Sequence, residues 1–409
     1  MKRIIVNGPS RLVGELSVSG SKNAALPIIF ACVITRGVSE IRSLPDIGDV
    51  RIALEIIKKF GARITRSGEV TYIDTNNLTY CPPNDDLVSK IRASTYLIGA
   101  CLARFGECRL TSFGGCNFAY RPIDMHLDAC HILGADIIDD KITAPRLLGN
   151  KISFKKQSVG ATVNAIILAA TASGETRITG FAAEPHIDAL IDFLVSAGAS
   201  IERTSEEIII NGRELHGGSI TVIGDMIEAG SYLVAGLLTG GAVRVKNCRA
   251  DDMNAFLDSL SALGAENCIS GNSVTSCLAA KGKYVSIEAT PYPGFPTDLQ
   301  PIIAPLIAHN SGGEIVDTVW PTRFGYLNTL SAFGVNYDVS YNHAIINPSS
   351  IKPAAVTAPD LRGGAACLLC ALVADGRSDI RSAEIVLRGY ENLEQKLRSI
   401  GADIKIEDF

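Results

Sequence analysis

A cysteine behind a glycine pair is the first place in this chain to look for chemistry. Cys116 follows Gly114-Gly115, and Arg121-Pro122 comes five residues later. A thiol on a Gly-Gly step beside a cation suits a reactive cysteine, because the cation favours thiolate and draws an anionic reagent towards it. Further candidates are Lys22-Asn23 in "SGSKNAALP", Lys90 and Arg92, and Lys156, Ser158 and Gly160 in "KKQSVGAT". Asp225 and Glu228 in "GDMIEAG", Asp298 in "FPTD", and Asp360 with Arg362 in "PDLRGG" complete the set. Each cluster stands where a strand-like run gives way to an alanine-rich apolar run, at the start of a helix. Helix N-termini present unpaired N–H groups and bind anions. Asp225 and Asp360 equally suit plain N-caps. Lys22, Arg92 and Arg362 do not, since a cation there opposes the helix dipole unless it holds an anion.

The elements that must position these residues repeat six times. Helix-like segments such as "LEIIKKFGARI", "LDACHILGADI" and "FLDSLSALGAEN" end in a glycine and reopen as a strand. The glycines are Gly61, Gly134, Gly198, Gly264, Gly334 and Gly401, spaced by 73, 64, 66, 70 and 67 residues. A fixed period of this size marks a repeated supersecondary unit. The glycine fits a helix C-cap, where positive φ is needed. Each repeat also carries an alanine-rich helix with little polar face, which predicts burial all round. The other helices are amphipathic, as in "DALIDFLVSAG". Buried helices within each group of three repeats, with sheets and amphipathic helices outside, predict two similar α/β lobes. Related by rotation, the helix starts of a lobe converge on one face, and two such faces would focus positive potential on an anionic ligand.

Bulk composition narrows the partners. The chain has 409 residues, 47% hydrophobic and 20% charged, with a formal net charge of −5. No basic run suits nucleic acid, and no apolar stretch approaches the roughly 20 residues of a membrane span. The first residues carry neither the apolar core nor the small-residue cleavage site of a signal peptide, and with eleven scattered cysteines the expectation is reduced thiols in a cytoplasm. Cys367 and Cys370 have CxxC spacing but lie in an apolar run without a second ligand pair, which reads as packing. No metal and no cofactor is expected.

The ordered set "SGSKNAALP", "RAS", "GGCNFAYRP", "SVGAT", "FPTD", "TRF", "DLR" and "RGY", over six repeats, resembles the enolpyruvyl transferases. The resemblance covers essentially the whole chain. It implies an α/β fold of two inside-out lobes, each of three βαβαββ units. One lobe would comprise residues 21–223, and the other residues 1–20 with 224–409. It implies transfer of the enolpyruvyl group of phosphoenolpyruvate to the 3′-hydroxyl of UDP-N-acetylglucosamine with release of phosphate, the first committed step of peptidoglycan precursor synthesis. In that comparison Cys116 matches a general acid that also forms adducts and is alkylated by fosfomycin. Asp298 matches the proposed base for the sugar hydroxyl. Lys22, Asn23, Arg121, Arg362 and Arg388 match residues around phosphoenolpyruvate. Arg92 matches a phosphate contact. Arg121, Pro122, Ile123, Asp124 and Met125 match the segment lining the uracil, and Lys156, Gln157, Ser158, Val159 and Gly160 the segment holding uridine and diphosphate. Val319 matches a residue near the sugar, and Arg323 is the arginine of "TRF". The expected catalytic set is Cys116, Asp298, Lys22 and Arg388, in a cytoplasmic monomer.

The chain departs from the family pattern at Phe118-Ala119-Tyr120, where small residues are usual. It departs again at Pro321-Thr322, in place of Glu-Asn, and at Leu387, in place of Asp. These positions frame the charged reagents without replacing them. Two alternatives therefore stand: a paralogue acting on another uridine nucleotide of UMP type, or a nucleotide-binding regulatory protein without catalysis.

Overall fold

The computed structural model of this chain describes residues 2–83, 85–110, 122–280 and 282–408. Cys116, Arg121 and the Phe118-Ala119-Tyr120 stretch lie outside the described residues.

Among the described residues, five of the six sheets share one four-stranded plan. In the third repeat Lys151–Ser153 runs parallel to Glu175–Thr179, which pairs antiparallel with Glu207–Asn211, itself antiparallel to Ser200–Arg203. The register sets Ile178 between Ile152 and Ile208, all three buried, so one face of the ladder is a row of branched apolar side chains. Four other sheets have the same four-stranded order, and the sheet of the second repeat has three strands among the described residues.

Two strands pair far from their neighbours in sequence. Val13–Ser17 precedes the helix Lys22–Ala31, yet it pairs in parallel with Ala242–Lys246. Ser219–Thr221 precedes the helix Met226–Leu238, yet it pairs in parallel with Val38–Arg42. The chain thus changes sheet group twice. The described residues fall into two compact units, 2–19 with 224–408 and 20–223. Each unit has its own apolar core.

Both units are built inside out, with alanine-rich helices in the core. In one unit Gln300–His309 packs against both Met226–Leu238 and Leu361–Val373. Leu361 to Leu372 are buried without interruption. In the other unit Leu97–Phe105 packs against Lys22–Ala31 and Val159–Ala169. Such helices carry no polar stripe because no side of them meets water. The six repeat glycines all have positive φ, from 87° at Gly334 to 110° at Gly401, which is the left-handed backbone the C-cap reading calls for. None of the described helices is long and apolar enough to cross a membrane.

Candidate functional site

The helix starts carry two kinds of residue. Some are caps. Ser158 accepts a hydrogen bond from the Ala161 N–H. Asp225 accepts from the N–H groups of Ile227 and Glu228, and Asp360 from those of Arg362 and Gly363. Each satisfies donors that the helix leaves unpaired.

Others bring charge together. Asp298 lies in the single turn Thr297–Leu299 that opens the Gln300–His309 helix, and Arg362 is the second residue of Leu361–Val373. Asp298 Oδ2 lies 3.1 Å from Arg362 Nη2 and 3.3 Å from Nε, while Oδ1 lies 2.7 Å from Arg323 Nη1. The arginine side chains are only 4% and 6% exposed, against 29% for Asp298. A carboxylate with one accessible edge therefore sits between two buried guanidinium groups. Burial acts to lower the Arg362 pKa, but the charge of Asp298 foremost, with Tyr390 and Asp225, outweighs it and the net shift is upward. The Arg362 guanidinium stands 6.0 Å from the centroid of the Tyr390 ring. Tyr390 in turn shares a 2.7 Å hydrogen bond with Ser231. Arg388 is two residues from Tyr390 and half-buried.

A further carboxylate in this unit was not singled out from sequence. Asp317 is fully buried. Its Oδ1 accepts from the N–H groups of Val319 and Trp320, at 2.9 and 2.7 Å, and its Oδ2 accepts from Thr297 Oγ1 at 2.6 Å. Arg323 Nη1 donates to the same Thr297 oxygen at 3.2 Å. Arg323 N–H closes the turn back to Trp320 O, with Pro321-Thr322 between them. Val319, expected near a sugar, is half-buried on this turn.

In residues 20–223, Lys22 is the first residue of its helix, and its Nζ lies 3.6 Å from Asp49 Oδ2. Asn23 beside it is half-buried. Arg92, Ile123, Asp124 and Gly160, from three of the expected nucleotide-binding stretches, adjoin one histidine that sequence reasoning passed over. His126 is buried, and its ring fills the space a side chain at Gly160 would need: a Cβ there would lie 2.8 Å from His126 Cε1. Gly99 N–H donates to Asn164 Oδ1, which turns the Asn164 amide nitrogen towards Thr95 O and His126 Nδ1. Nδ1 therefore accepts, and the ring proton sits on Nε2. Burial first, and then Arg92, lower the His126 pKa to about 4, with Asp124 acting the other way. The signal for His126 was its place directly after Met125. Lys156 and Gln157 are exposed, while Ser158, Val159 and Gly160 are partly covered. Pro122 and Asp124 are exposed, and Ile123 and Met125 are half-buried.

The CxxC pair lies in the apolar core. Cys367 and Cys370 are fully buried, and burial raises both thiols, Cys367 to about 12. Among the described residues no group of His, Cys, Asp and Glu could hold a metal ion.

Against known proteins, residues 6–397 match the EPSP synthase (3-phosphoshikimate 1-carboxyvinyltransferase) family. A UDP-N-acetylglucosamine 1-carboxyvinyltransferase from Halothermothrix orenii is 39% identical over 99% of both chains. One from Prosthecochloris aestuarii is 38% identical over 100% of this chain and 99% of its own. Among solved structures, the enolpyruvyl transferase NikO from Streptomyces tendae covers 99% of this chain and 98% of its own, with a TM-score of 0.90 at 26% identity. An EPSP synthase from Acinetobacter baumannii, at 17% identity and a TM-score of 0.72 over the full length of both chains, shares the fold.

Proposed function

The chain belongs to the EPSP synthase family of enolpyruvyl transferases, and we propose that it transfers the enolpyruvyl group of phosphoenolpyruvate to the 3′-hydroxyl of UDP-N-acetylglucosamine. The observation that carries this reading is the whole-chain likeness, at 36–39% identity, to proteins named for that reaction. It serves peptidoglycan precursor synthesis in the cytoplasm.

The reaction is an addition followed by an elimination. The methylene carbon of phosphoenolpyruvate takes a proton, and the sugar oxygen bonds to C2 as its own proton leaves. The resulting adduct then loses a proton from the former methylene carbon, and the C2–O bond to phosphate breaks. Cys116 delivers the first proton. Lys22, Arg121, Arg362 and Arg388, with Asn23, hold the phosphate and carboxylate charges, for which planar guanidinium groups are suited. Asp298 takes a different part from a free base. With both oxygens engaged by Arg323 and Arg362, it orients the sugar hydroxyl and accepts its proton only as the C–O bond forms. Arg92, the Pro122–Met125 segment and Lys156–Gly160 hold the nucleotide, and Val319 borders the sugar.

The test is phosphate release from phosphoenolpyruvate with UDP-N-acetylglucosamine, UMP, UDP and shikimate 3-phosphate offered separately. Release with the nucleotide sugar far above the others supports the reading. A preference for UMP would favour the second reading, a paralogue acting on another uridine nucleotide. That reading draws on the Phe118-Ala119-Tyr120, Pro321-Thr322 and Leu387 replacements.

A further inference from the structure

We infer that Asp317 and Thr297 are positioning residues for the reaction: through Arg323 they fix where the Asp298 carboxylate stands. This rests on the function proposed above.

Asp317 ends the strand Gly313–Asp317 and is locked there by its backbone, its N–H donating to Asn342 O. Its two carboxylate oxygens do different things. Oδ1 closes the turn that carries Val319 and Trp320. Oδ2 takes the Thr297 hydroxyl proton at 2.6 Å. A hydroxyl has one proton, so giving it to Asp317 leaves the Thr297 lone pairs free to accept. One of them receives Arg323 Nη1 at 3.2 Å, and the same nitrogen reaches Asp298 Oδ1 at 2.7 Å. Asp317 thus sets the sense of every hydrogen bond in the chain Asp317–Thr297–Arg323–Asp298. Burial raises the Asp317 pKa, while Thr297, the Trp320 amide, Arg323 and the Val319 amide pull it down. Its charge is thus tied to these same partners. Thr297 also precedes Asp298 directly, so the network grips Asp298 through both backbone and side chain.

A turn-forming role alone would need only Oδ1. Asp317→Asn separates the two roles. An asparagine oxygen can still accept from the Val319 and Trp320 amides, but its NH2 group would donate to Thr297. The hydroxyl proton would then lose the acceptor that fixes it and be free to turn towards Arg323, where donor would face donor. Thr297→Val removes the hydroxyl at nearly equal volume, and Thr297→Ser keeps it.

Steady-state kinetics on the intact chain, normalised to folded protein by near-ultraviolet circular dichroism, test the inference. In Asp317→Asn and Thr297→Val we expect kcat to fall by about 10- to 100-fold. The KM for UDP-N-acetylglucosamine should move by less than about threefold, because most nucleotide contacts lie on other residues. The double variant should be no worse than either single one, and Thr297→Ser should recover most of the rate. Wild-type kcat in either Asp317→Asn or Thr297→Val, or full additivity in the double variant, would overturn it. If the unaltered protein turns over none of the acceptors, the proposed function fails instead. The Arg323 15Nε resonance still decides the positioning claim in that case. It should shift in Asp317→Asn and Thr297→Val but not in Thr297→Ser, and an unmoved resonance in the first two would refute the claim.

Discussion

Asp298 places one oxygen, Oδ2, against two nitrogens of a single buried side chain, Arg362, at 3.1 and 3.3 Å. Its other oxygen meets Arg323. A carboxylate in this position neutralises a pair of guanidinium groups that could not share a buried space without it. Replacing Asp298 by Asn should therefore damage stability as well as activity. We expect loss of about 3 kcal/mol in urea unfolding and a kcat at least about 100-fold lower. Added inorganic phosphate should restore part of the stability, since it can take the place of the missing charge. Unchanged stability in Asp298→Asn would mean the two arginines do not depend on it.

His126 gives the fold a dependence on acid. Its pKa is lowered from 6.5 to about 4, by burial first and Arg92 second, with Asp124 opposing. Between those values the unfolded chain binds a proton that the folded chain refuses. Stability is thus fully present above pH 6.5 and is lost as pH falls towards 4, by about 3 kcal/mol for this one group. In His126→Gln the slope of unfolding free energy against pH should flatten across that window. An unaltered slope would assign the acid sensitivity to other groups.

The pair Lys396 and Glu228 ties residues 168 positions apart, with Nζ 2.6 Å from Oε1. Lys396 also donates to Ser19 Oγ, and the Ser19 N–H donates to Glu228 Oε2. Burial raises the Glu228 pKa, and Lys396 is the main force pulling it back. Lys396→Met should cost about 3–5 kcal/mol at neutral pH. A carboxyl with a raised folded pKa contributes stability below the unfolded value of 4.5 that is lost as pH rises through the folded one. The variant should therefore be rescued by acid, and Glu228→Gln combined with Lys396→Met should recover much of the loss. Equal destabilisation of Lys396→Met at pH 5 and pH 8 would contradict this.

These cases mark where sequence stops being informative. The repeat is legible because its glycines recur and need a positive φ that few other residues adopt. Asp298 and Arg362 are legible because each stands at the start of an alanine-rich helix. Asp317, His126 and Lys396 are not, because each acts through a partner fixed only by the fold: Thr297 lies 20 residues before Asp317, and Asn164 38 residues after His126. The strand exchange is equally silent. Leu16 in Val13–Ser17 says which face is buried but not that Ala242–Lys246 lies beside it. The helix-start cations also read only in part, since Lys22 and Arg362 each meet a protein carboxylate, Asp49 and Asp298.

Cys116 is expected to be the most reactive of the eleven thiols. Five of the others, Cys32, Cys101, Cys130, Cys367 and Cys370, are fully buried, and their thiols are pushed up, by burial first in every case but Cys101, where the Cys108 contact leads. Fosfomycin with UDP-N-acetylglucosamine should give a single adduct on the peptide carrying Cys116. Cys116→Asp should abolish the adduct yet keep some turnover, because a carboxylic acid can donate the proton but opens the epoxide poorly. Full activity in Cys116→Ala would remove the thiol from the chemistry.

The identity of the acceptor is the most direct test of the proposed reaction. Equimolar UDP-N-acetylglucosamine, UMP and shikimate 3-phosphate should be incubated together with phosphoenolpyruvate and the protein, and each acceptor followed by mass spectrometry. The enolpyruvyl mass should accumulate on UDP-N-acetylglucosamine alone, with one phosphate released per acceptor modified. Enolpyruvyl transfer to UMP or shikimate 3-phosphate in preference to the nucleotide sugar would contradict the assignment.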